Sequence, residues 1–356
     1  MAANTTHRKR GAAEAEKPGK EAPTILITGG LGFIFSYVTE YFVGKGYRVV
    51  VIDNLSEGSH PEIIDGSFIH HDAHMADEAV IDLIVNERPD YLIHAAAMTD
   101  VDYSIREPYR TLKKNTLGTL HAFEAARRLP DLKKFMYVAT DEIYGSREEP
   151  AQEHEALRAT NPYSASKAIG SLVHLAYENT YPELLGKLVE VRPCNAFGPR
   201  QDSRKIMPQL KKAITEEYSI PLHHEGKGHR EFLYVKNIPP AIELLLEKGT
   251  GAYNLTSGDG YTVRELIEKV EAASGKKVKT HPSHRPGMDL RYVVDASRMR
   301  DLGWKPLYTF EEGLAEYLEL PEVVHRSIAR GERDAQRSPL QRLFRSILRT
   351  IKRYGR

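Results

Sequence analysis

Thr24-Ile-Leu-Ile-Thr28 is a short, unbroken apolar run that stops on Gly29-Gly30-Leu31-Gly32 and passes into a helical pattern through Ile34, Tyr37, Val38, Tyr41 and Phe42. This junction constrains the fold more than any other feature of the chain. A strand without polar alternation is buried on both faces, which is the signature of a parallel sheet covered by helices. Runs of the same kind recur at Arg48–Ile52, Ser67–His70, Tyr91–His94, Lys134–Ala139 and Leu188–Arg192. Helical stretches lie between most of them, the clearest over Tyr109–Arg128 and Ser164–Tyr181. The alternation predicts an α/β fold with a doubly wound parallel sheet. Beyond Pro193 the elements shorten and Gly and Pro interrupt them, with no long linker in between. We therefore expect a smaller C-terminal lobe, residues 194–325, interleaved with the first unit, residues 23–193. Residues 1–22, rich in Ala, Lys and Glu, are expected to form a flexible arm.

Composition removes several function classes. With 41% hydrophobic and 28% charged residues in 356, the chain has ample apolar material to fold. No run approaches the ~18 apolar residues of a membrane span, and the N-terminus lacks the apolar core of a secretory signal. The lone Cys194 cannot form an internal disulfide. These features predict a cytoplasmic protein. Residues 326–356 hold ten Lys/Arg and two acidic residues, a net of +8, so the formal +1 of the whole chain leaves −7 for the rest. An acidic body argues against nucleic acid as a partner, because phosphate binding needs a basic face.

The glycines after Thr28 let a backbone approach a pyrophosphate whose charge faces the following helix N-terminus. Asp53 ends the next strand, where a carboxylate accepts bonds from an adenosine ribose and repels a 2′-phosphate. Together they predict a Rossmann-type site that takes NAD in preference to NADP. Tyr163 and Lys167 stand at i,i+4 and share one face of a helix. There the ammonium is expected to favour the phenolate and make Tyr163 a general base. Thr140-Asp141-Glu142 follows a strand directly, at the edge where open α/β sheets place ligands. Two adjacent carboxylates repel, which separates them into an acid and a base. Taken singly, an exposed Tyr–Lys pair or a solvated loop pair of carboxylates would be equally ordinary.

Thr28–Ile34, Thr140-Asp-Glu-Ile-Tyr-Gly145, Tyr163–Lys167, Arg192-Pro-Cys-Asn-Ala-Phe-Gly-Pro199, Arg230-Glu-Phe-Leu-Tyr-Val235 and Arg285-Pro-Gly-Met-Asp-Leu-Arg-Tyr292 resemble the extended short-chain dehydrogenase/reductase family, in order and spacing, from residue 24 to about 318. Within it the Thr-Asp-Glu triplet most resembles the dTDP-glucose 4,6-dehydratase branch, since the epimerases and decarboxylases generally lack the Asp-Glu pair. The resemblance implies an NAD-dependent dehydration of a nucleotide-diphosphate hexose by C4 oxidation, loss of water across C5 and C6, and return of hydride to C6. It implies a catalytic set of Thr140, Asp141, Glu142, Tyr163 and Lys167. It places Gly29, Gly32, Phe33, Ile34, Asp53, Asn54, Asp72, Ala95 and Ala96, with Tyr163 and Lys167, around NAD. It places Asn195, Lys205, Arg230, Arg285 and Asp289 around the nucleotide sugar, where guanidinium forks suit a diphosphate, and it implies a homodimer. A 4-epimerase, a dehydratase of an N-acetylated sugar, and a catalytically silent NAD-binding scaffold are the alternatives.

Three features depart from the pattern or stand outside it. Phe35 occupies the position of the family's third glycine, where a ring is expected to force the first helix or the cofactor outward. Met98 and Asp100 differ from the family's usual residues at a position expected beside the sugar. His70, His71 and His74 with Asp72 are expected to be ordinary strand-end residues, and no metal is called for. The tail places Leu340, Leu343, Phe344, Ile347, Leu348 and Ile351 on one face of a helix and Arg342, Arg345, Arg349, Lys352 and Arg353 on the other. Leu340–Tyr354 thus suits either an anionic membrane surface or a docked terminal helix.

Overall fold

The computed structural model describes residues 4–7, 22–56, 58, 60, 66–283 and 289–319. The first part of the chain gives β1 (Asn4–His7), β2 (Thr24–Thr28), α1 (Phe33–Gly44), β3 (Arg48–Ile52), β4 (Ile69–Asp72), α2 (Val80–Glu87), β5 (Tyr91–His94), α3 (Val101–Arg106), α4 (Pro108–Arg127), β6 (Lys134–Val138), α5 (Pro162–Thr180) and β7 (Leu188–Pro193). The second gives β8 (Asn195–Phe197), α6 (Ile206–Thr215), β9 (Ser219–His223), β10 (His229–Tyr234), α7 (Ile238–Lys248), β11 (Gly251–Leu255), β12 (Gly260–Thr262), α8 (Val263–Ser274), β13 (Lys279–Ser283), α9 (Ser297–Asp301) and α10 (Phe310–Tyr317).

The central sheet runs β1-β4-β3-β2-β5-β6-β7-β11, parallel from β4 to β11. From β2 the chain winds one way through β3 and β4, then the other way through β5, β6 and β7. That reversal opens a crevice at the carboxyl ends of β2 and β5. The Rossmann-type doubly wound sheet is therefore present. β11, from the later part of the chain, lies beside β7 in the same sheet.

The arm expected to be flexible contributes β1, which pairs antiparallel with β4 from Asn4 opposite Asp72 to His7 opposite Ile69. Composition hid it. β4 would otherwise end the sheet with unpaired backbone groups, and the β-branched Thr5-Thr6 pair favours extended structure.

Each face of the sheet has its own core. Leu26, Val50, Leu92 and Phe135 pack with Ile84 of α2 and with Ala122, Phe123 and Ala126 of α4. The alternate residues Ile25, Ile27, Val49, Val51, Ile93 and Met136 pack with Val38 and Phe42 of α1 and with Ile242 and Leu245 of α7. This second core continues through Cys194, Phe197, Phe232 and Phe310, so the C-terminal lobe is built onto it.

Phe35 lies inside that core, 6% exposed. The crowding expected from its ring does not arise, because Gly30 provides the close approach of helix to sheet. A Cβ on Gly30 would stand 2.9 Å from Thr39 Oγ1 and 3.0 Å from Val51. Phe35→Gly therefore removes packing instead of relieving strain, and should destabilise the protein by about 3–5 kcal/mol, as other buried Phe truncations do. Thermal melting checks this, and a midpoint within a degree of the parent contradicts it. Among the described residues no helix is long and apolar enough to cross a membrane. The tail Leu340–Tyr354 and Arg285 lie outside the described residues.

Candidate active site

The turn after β2 is shaped for an anion. Gly29 has φ +70°, and a Cβ there would stand 2.7 Å from Ala96 Cα, so the turn lies directly on the Ala95–Ala96 backbone. Gly32 caps α1, whose first turn carries no side-chain cap and no acidic residue. A Cβ on Gly32 would make only an ordinary contact, with Gly29 O at 3.5 Å. The first N–H groups of α1, which no side chain caps, fit the pyrophosphate of a dinucleotide. Asp53 stands beside the turn, its Oδ2 accepting from Leu31 N at 3.1 Å and its Oδ1 from Leu55 N at 3.0 Å. These backbone donors hold the carboxylate where an adenosine ribose would lie. Phe33 and Ile34 open α1 half-buried, while Asn54 and Asp72 are exposed at the ends of their strands.

The acid–base groups gather at the carboxyl end of β6. Thr140 is the N-cap of a 3₁₀ turn, Asp141–Tyr144, its Oγ1 accepting from Glu142 N at 3.4 Å and donating to Asp141 Oδ1 at 3.3 Å. Asp141 is 2% exposed and its Oδ2 has no hydrogen-bond partner among the described residues. Burial, then the charges of Glu142 and Glu231, push its carboxyl up to about 8, so it carries a proton at neutral pH. Burial raises Glu142 as well, but Arg230, Lys205 and the Asn161 side chain pull it back. Both carboxyls are thus raised, Asp141 far enough to hold a proton at neutral pH, while the cations and the amide around Glu142 offset part of its rise.

α5 supplies the Tyr–Lys pair. Asn161 caps it with a reciprocal Ser164 bond, and Pro162 follows at the first helical position. Asn161 Nδ2 also donates to Glu142 Oε2 at 3.4 Å, so the cap of one catalytic element touches the acid of the other. Tyr163 is buried, and its phenol is raised above the ordinary value by burial and by the Glu142 charge, with the Thr140 hydroxyl pulling it down. The expected tuning by Lys167 is not seen in the protein alone. Lys167 Nζ donates to Val138 O at 2.7 Å, and burial lowers its ammonium to about 8. Anchored to β6, it is spent on the sheet and not on the phenol.

The sugar-side residues divide. Asn195, on β8, has a buried Nδ2 without a partner among the described residues, a donor that a ligand would satisfy. Arg230 stacks on the Tyr292 ring at 4.3 Å and donates to the His229 and Asp289 carbonyls, both at 2.7 Å. The Asp289 carboxylate accepts from the Thr160 and Tyr292 hydroxyls. Lys205 is exposed at the N-cap of α6 and acts on Glu142 through its charge. Asp100, expected beside the sugar, has both oxygens bonded: Oδ1 caps α3 by accepting from Tyr103 N at 2.9 Å, and Oδ2 accepts from Arg204 at 2.6 Å. Met98 is held through its backbone by Asn115, at 2.8 Å and 3.1 Å. Asn161, Glu231 and Tyr292 were not expected as site residues; Glu231 and Tyr292 lie within the Arg230–Val235 and Arg285–Tyr292 motifs, and Asn161 carried the Asn-Pro cap just ahead of Tyr163.

His70 bonds to Asp53 O at 2.8 Å, His71 to Glu87 at 2.7 Å, and His74 accepts from Ala76 N at 3.0 Å. Among the described residues no group of three or more His, Cys, Asp or Glu is placed to hold a metal ion.

Residues 26–317 match the family described as GDP-mannose 4,6 dehydratase. The chain is 32% identical over 313 residues to an Arabidopsis thaliana trifunctional UDP-glucose 4,6-dehydratase/UDP-4-keto-6-deoxy-D-glucose 3,5-epimerase/UDP-4-keto-L-rhamnose-reductase, covering 83% of this chain and 46% of the relative. It thus spans about half the length of that protein. The crystal structure of Thermus thermophilus UDP-glucose 4-epimerase in complex with NAD aligns with a TM-score of 0.77 at 29% identity, covering 83% of this chain and 98% of the other. The dTDP-glucose 4,6-dehydratase DesIV of Streptomyces venezuelae, also solved with NAD, aligns with a TM-score of 0.75 at 29% identity, covering 83% and 96%. The match over most of the chain and the Rossmann-type fold agree: the chain belongs to the GDP-mannose 4,6 dehydratase family, NAD-dependent nucleotide-sugar dehydratases and epimerases of the extended short-chain dehydrogenase/reductase type.

Proposed function

We propose that the protein is a 4,6-dehydratase of a nucleotide-diphosphate hexose, of the dTDP- or UDP-glucose kind, working with NAD as a resident cofactor. One observation carries the reading: a buried Asp141 that holds its proton at neutral pH stands next to Glu142 and beside Tyr163. Oxidation at C4 needs a single base, whereas elimination of water needs a further acid and base.

The cradle described above fits NAD: the Gly29–Gly32 turn and the α1 N-terminus would hold its pyrophosphate, and Asp53 its ribose. The chemistry NAD supplies when bound is reversible hydride transfer beside a positively charged ring. Tyr163 takes the proton of the C4 hydroxyl, and Thr140 hydrogen-bonds the same oxygen. Lys167, fixed to Val138 O, lies one helical turn from Tyr163 and would reach the nicotinamide ribose. With a ketone at C4 the C5 proton becomes acidic, and Glu142 removes it. Asp141 gives its proton to the departing C6 hydroxyl, so one water leaves, and Glu142 returns its proton to C5 as C6 regains the hydride removed from C4. Asn195 and Arg230, with Lys205 and Asp289, would orient the diphosphate and sugar.

The Thermus epimerase is as similar in fold as the dehydratase, and this favours a 4-epimerase as the second reading. A silent scaffold has no use for a buried Asp141 whose Oδ2 has no partner among the described residues, which is a burden on the fold. Incubation with UDP-, dTDP-, CDP- and GDP-hexoses, read by mass spectrometry, tests the proposal. Loss of one water from one of them is expected; conversion without mass change supports the epimerase and overturns the dehydratase.

We also assign a homodimer, through the exposed Leu172 and Leu175 on one face of α5. Light scattering of Leu172→Glu/Leu175→Glu should show half the parent mass, and an unchanged mass refutes this face.

A further inference from the structure

The two catalytic elements are joined by a buried polar network that the proposed chemistry does not use. Glu190 and Arg192 lie on β7, 2% and 4% exposed, beneath the site. Arg192 Nε donates to Glu190 Oε1 at 2.6 Å. The same oxygen accepts from Ser171 at 2.6 Å, and the other lies 3.4 Å from His174 Nδ1. Ser171 and His174 are on α5, one and two turns after Lys167. On its far side Arg192 lies over the Tyr144 ring, 5.2 Å from guanidinium carbon to centroid, and donates to the Tyr144 hydroxyl. That phenol donates in turn to Asn254 Oδ1 at 2.9 Å. Tyr144 closes the 3₁₀ turn that carries Asp141 and Glu142.

From this geometry we infer that Glu190 and Arg192 form a positioning clamp, which fixes the Asp141–Glu142 turn against the Tyr163–Lys167 helix through Tyr144 on one side and Ser171 on the other. The physical need is plain. A 3₁₀ turn of four residues has few internal bonds of its own, yet its carboxyls must meet two adjacent carbons of a sugar whose C4 is held by another element. Misplacement by about 1 Å can cost ~100-fold in rate. A fully buried ion pair, joined through Nε with Nη1 left to hold Tyr144, supplies rigidity where a surface pair would not. The residues act through Tyr144 and Ser171 and touch neither sugar nor cofactor.

The inference rests on the dehydratase reading for its catalytic consequence, but its structural core does not. Two readouts separate them in Tyr144→Phe, Arg192→Lys and Glu190→Gln. The first needs no substrate: the carboxyl band of Asp141 in the infrared, identified by its loss in Asp141→Asn, should titrate near 8 in the parent. In Tyr144→Phe, with the melting midpoint within a few degrees of the parent, the titration should fall by one unit or more as the loosened turn admits water. The second is the ratio of the two steps with a processed nucleotide hexose. C4 oxidation, followed as transient absorbance of reduced cofactor, should persist, while water elimination drops tenfold or more and the absorbance lasts longer. Arg192→Lys, which keeps the charge but not the fork, should fall between parent and Glu190→Gln. An unchanged Asp141 titration in all three variants overturns the clamp whatever the substrate. Equal loss of both steps overturns it as well, since that would mark a role in general stability. A parent enzyme that oxidises C4 and never loses water overturns the dehydratase reading alone, and the infrared titration still decides the clamp.

Discussion

Replacing Asp141 with Asn and Glu142 with Gln should abolish water loss while leaving oxidation at C4 measurable. Each lost acid or base function costs on the order of 100-fold or more in the step it serves, and the pair serves elimination alone in this account. Oxidation depends on Tyr163 and Thr140, which the double variant retains. Single-turnover mixing with a nucleotide hexose would therefore show reduced cofactor accumulating and persisting. The asymmetry between the two sites should also show in the pH profile. Asp141 acts as an acid only while protonated, so elimination should fall as pH rises through about 8. Dehydration that continues undiminished in the double variant would sink the assignment.

Asp141→Asn alone should make the protein more stable, and the sign follows from linkage. The folded carboxyl titrates near 8, against about 4 in an unfolded chain, so between these values the folded state holds a proton that the unfolded state releases. Stability is therefore lost as pH rises from about 4 to about 8, and the full loss is present above that. A neutral Asn removes it. The gain at pH 8 should be up to about 5 kcal/mol, about four pH units at about 1.4 kcal/mol each, shrinking toward nothing near pH 4. Melting curves of parent and variant at pH 5 and pH 8.5 check this. Equal midpoints at both pH values would mean that the carboxyl is solvated and ionised, which contradicts its role as the acid.

Much of this architecture was legible because its signals are local. An unbroken Ile-Leu-Ile run ended by Gly29 specifies both strand and turn, and Tyr163 with Lys167 needs only helical periodicity to share a face. What sequence could not supply was set by partners far away in the chain. Phe35 reads as an obstruction beside the turn until Gly30 is seen to make the close approach to Val51, leaving the ring to the core shared with α7. Lys167 reads as the partner of Tyr163, yet the end of β6 claims its ammonium through Val138 O. Asp100 looked like a sugar contact, and its ion pair with Arg204, 104 residues on, could not be read from its neighbours. The titration of Asp141 depends on Glu231, which joins it only when β10 is laid beside β8. The strand at Asn4–His7 was invisible for the same reason, since its warrant is an open edge on β4 and not its own composition.

The central claim is that one site oxidises C4 and then expels the C6 hydroxyl of the same sugar. The direct measurement uses a nucleotide hexose carrying deuterium at C4, with the product examined by mass spectrometry and NMR. The account predicts a product lighter by one water, a ketone at C4, and the deuterium relocated to the new C6 methyl group. Deuterium found again at C4, with mass unchanged, would contradict it.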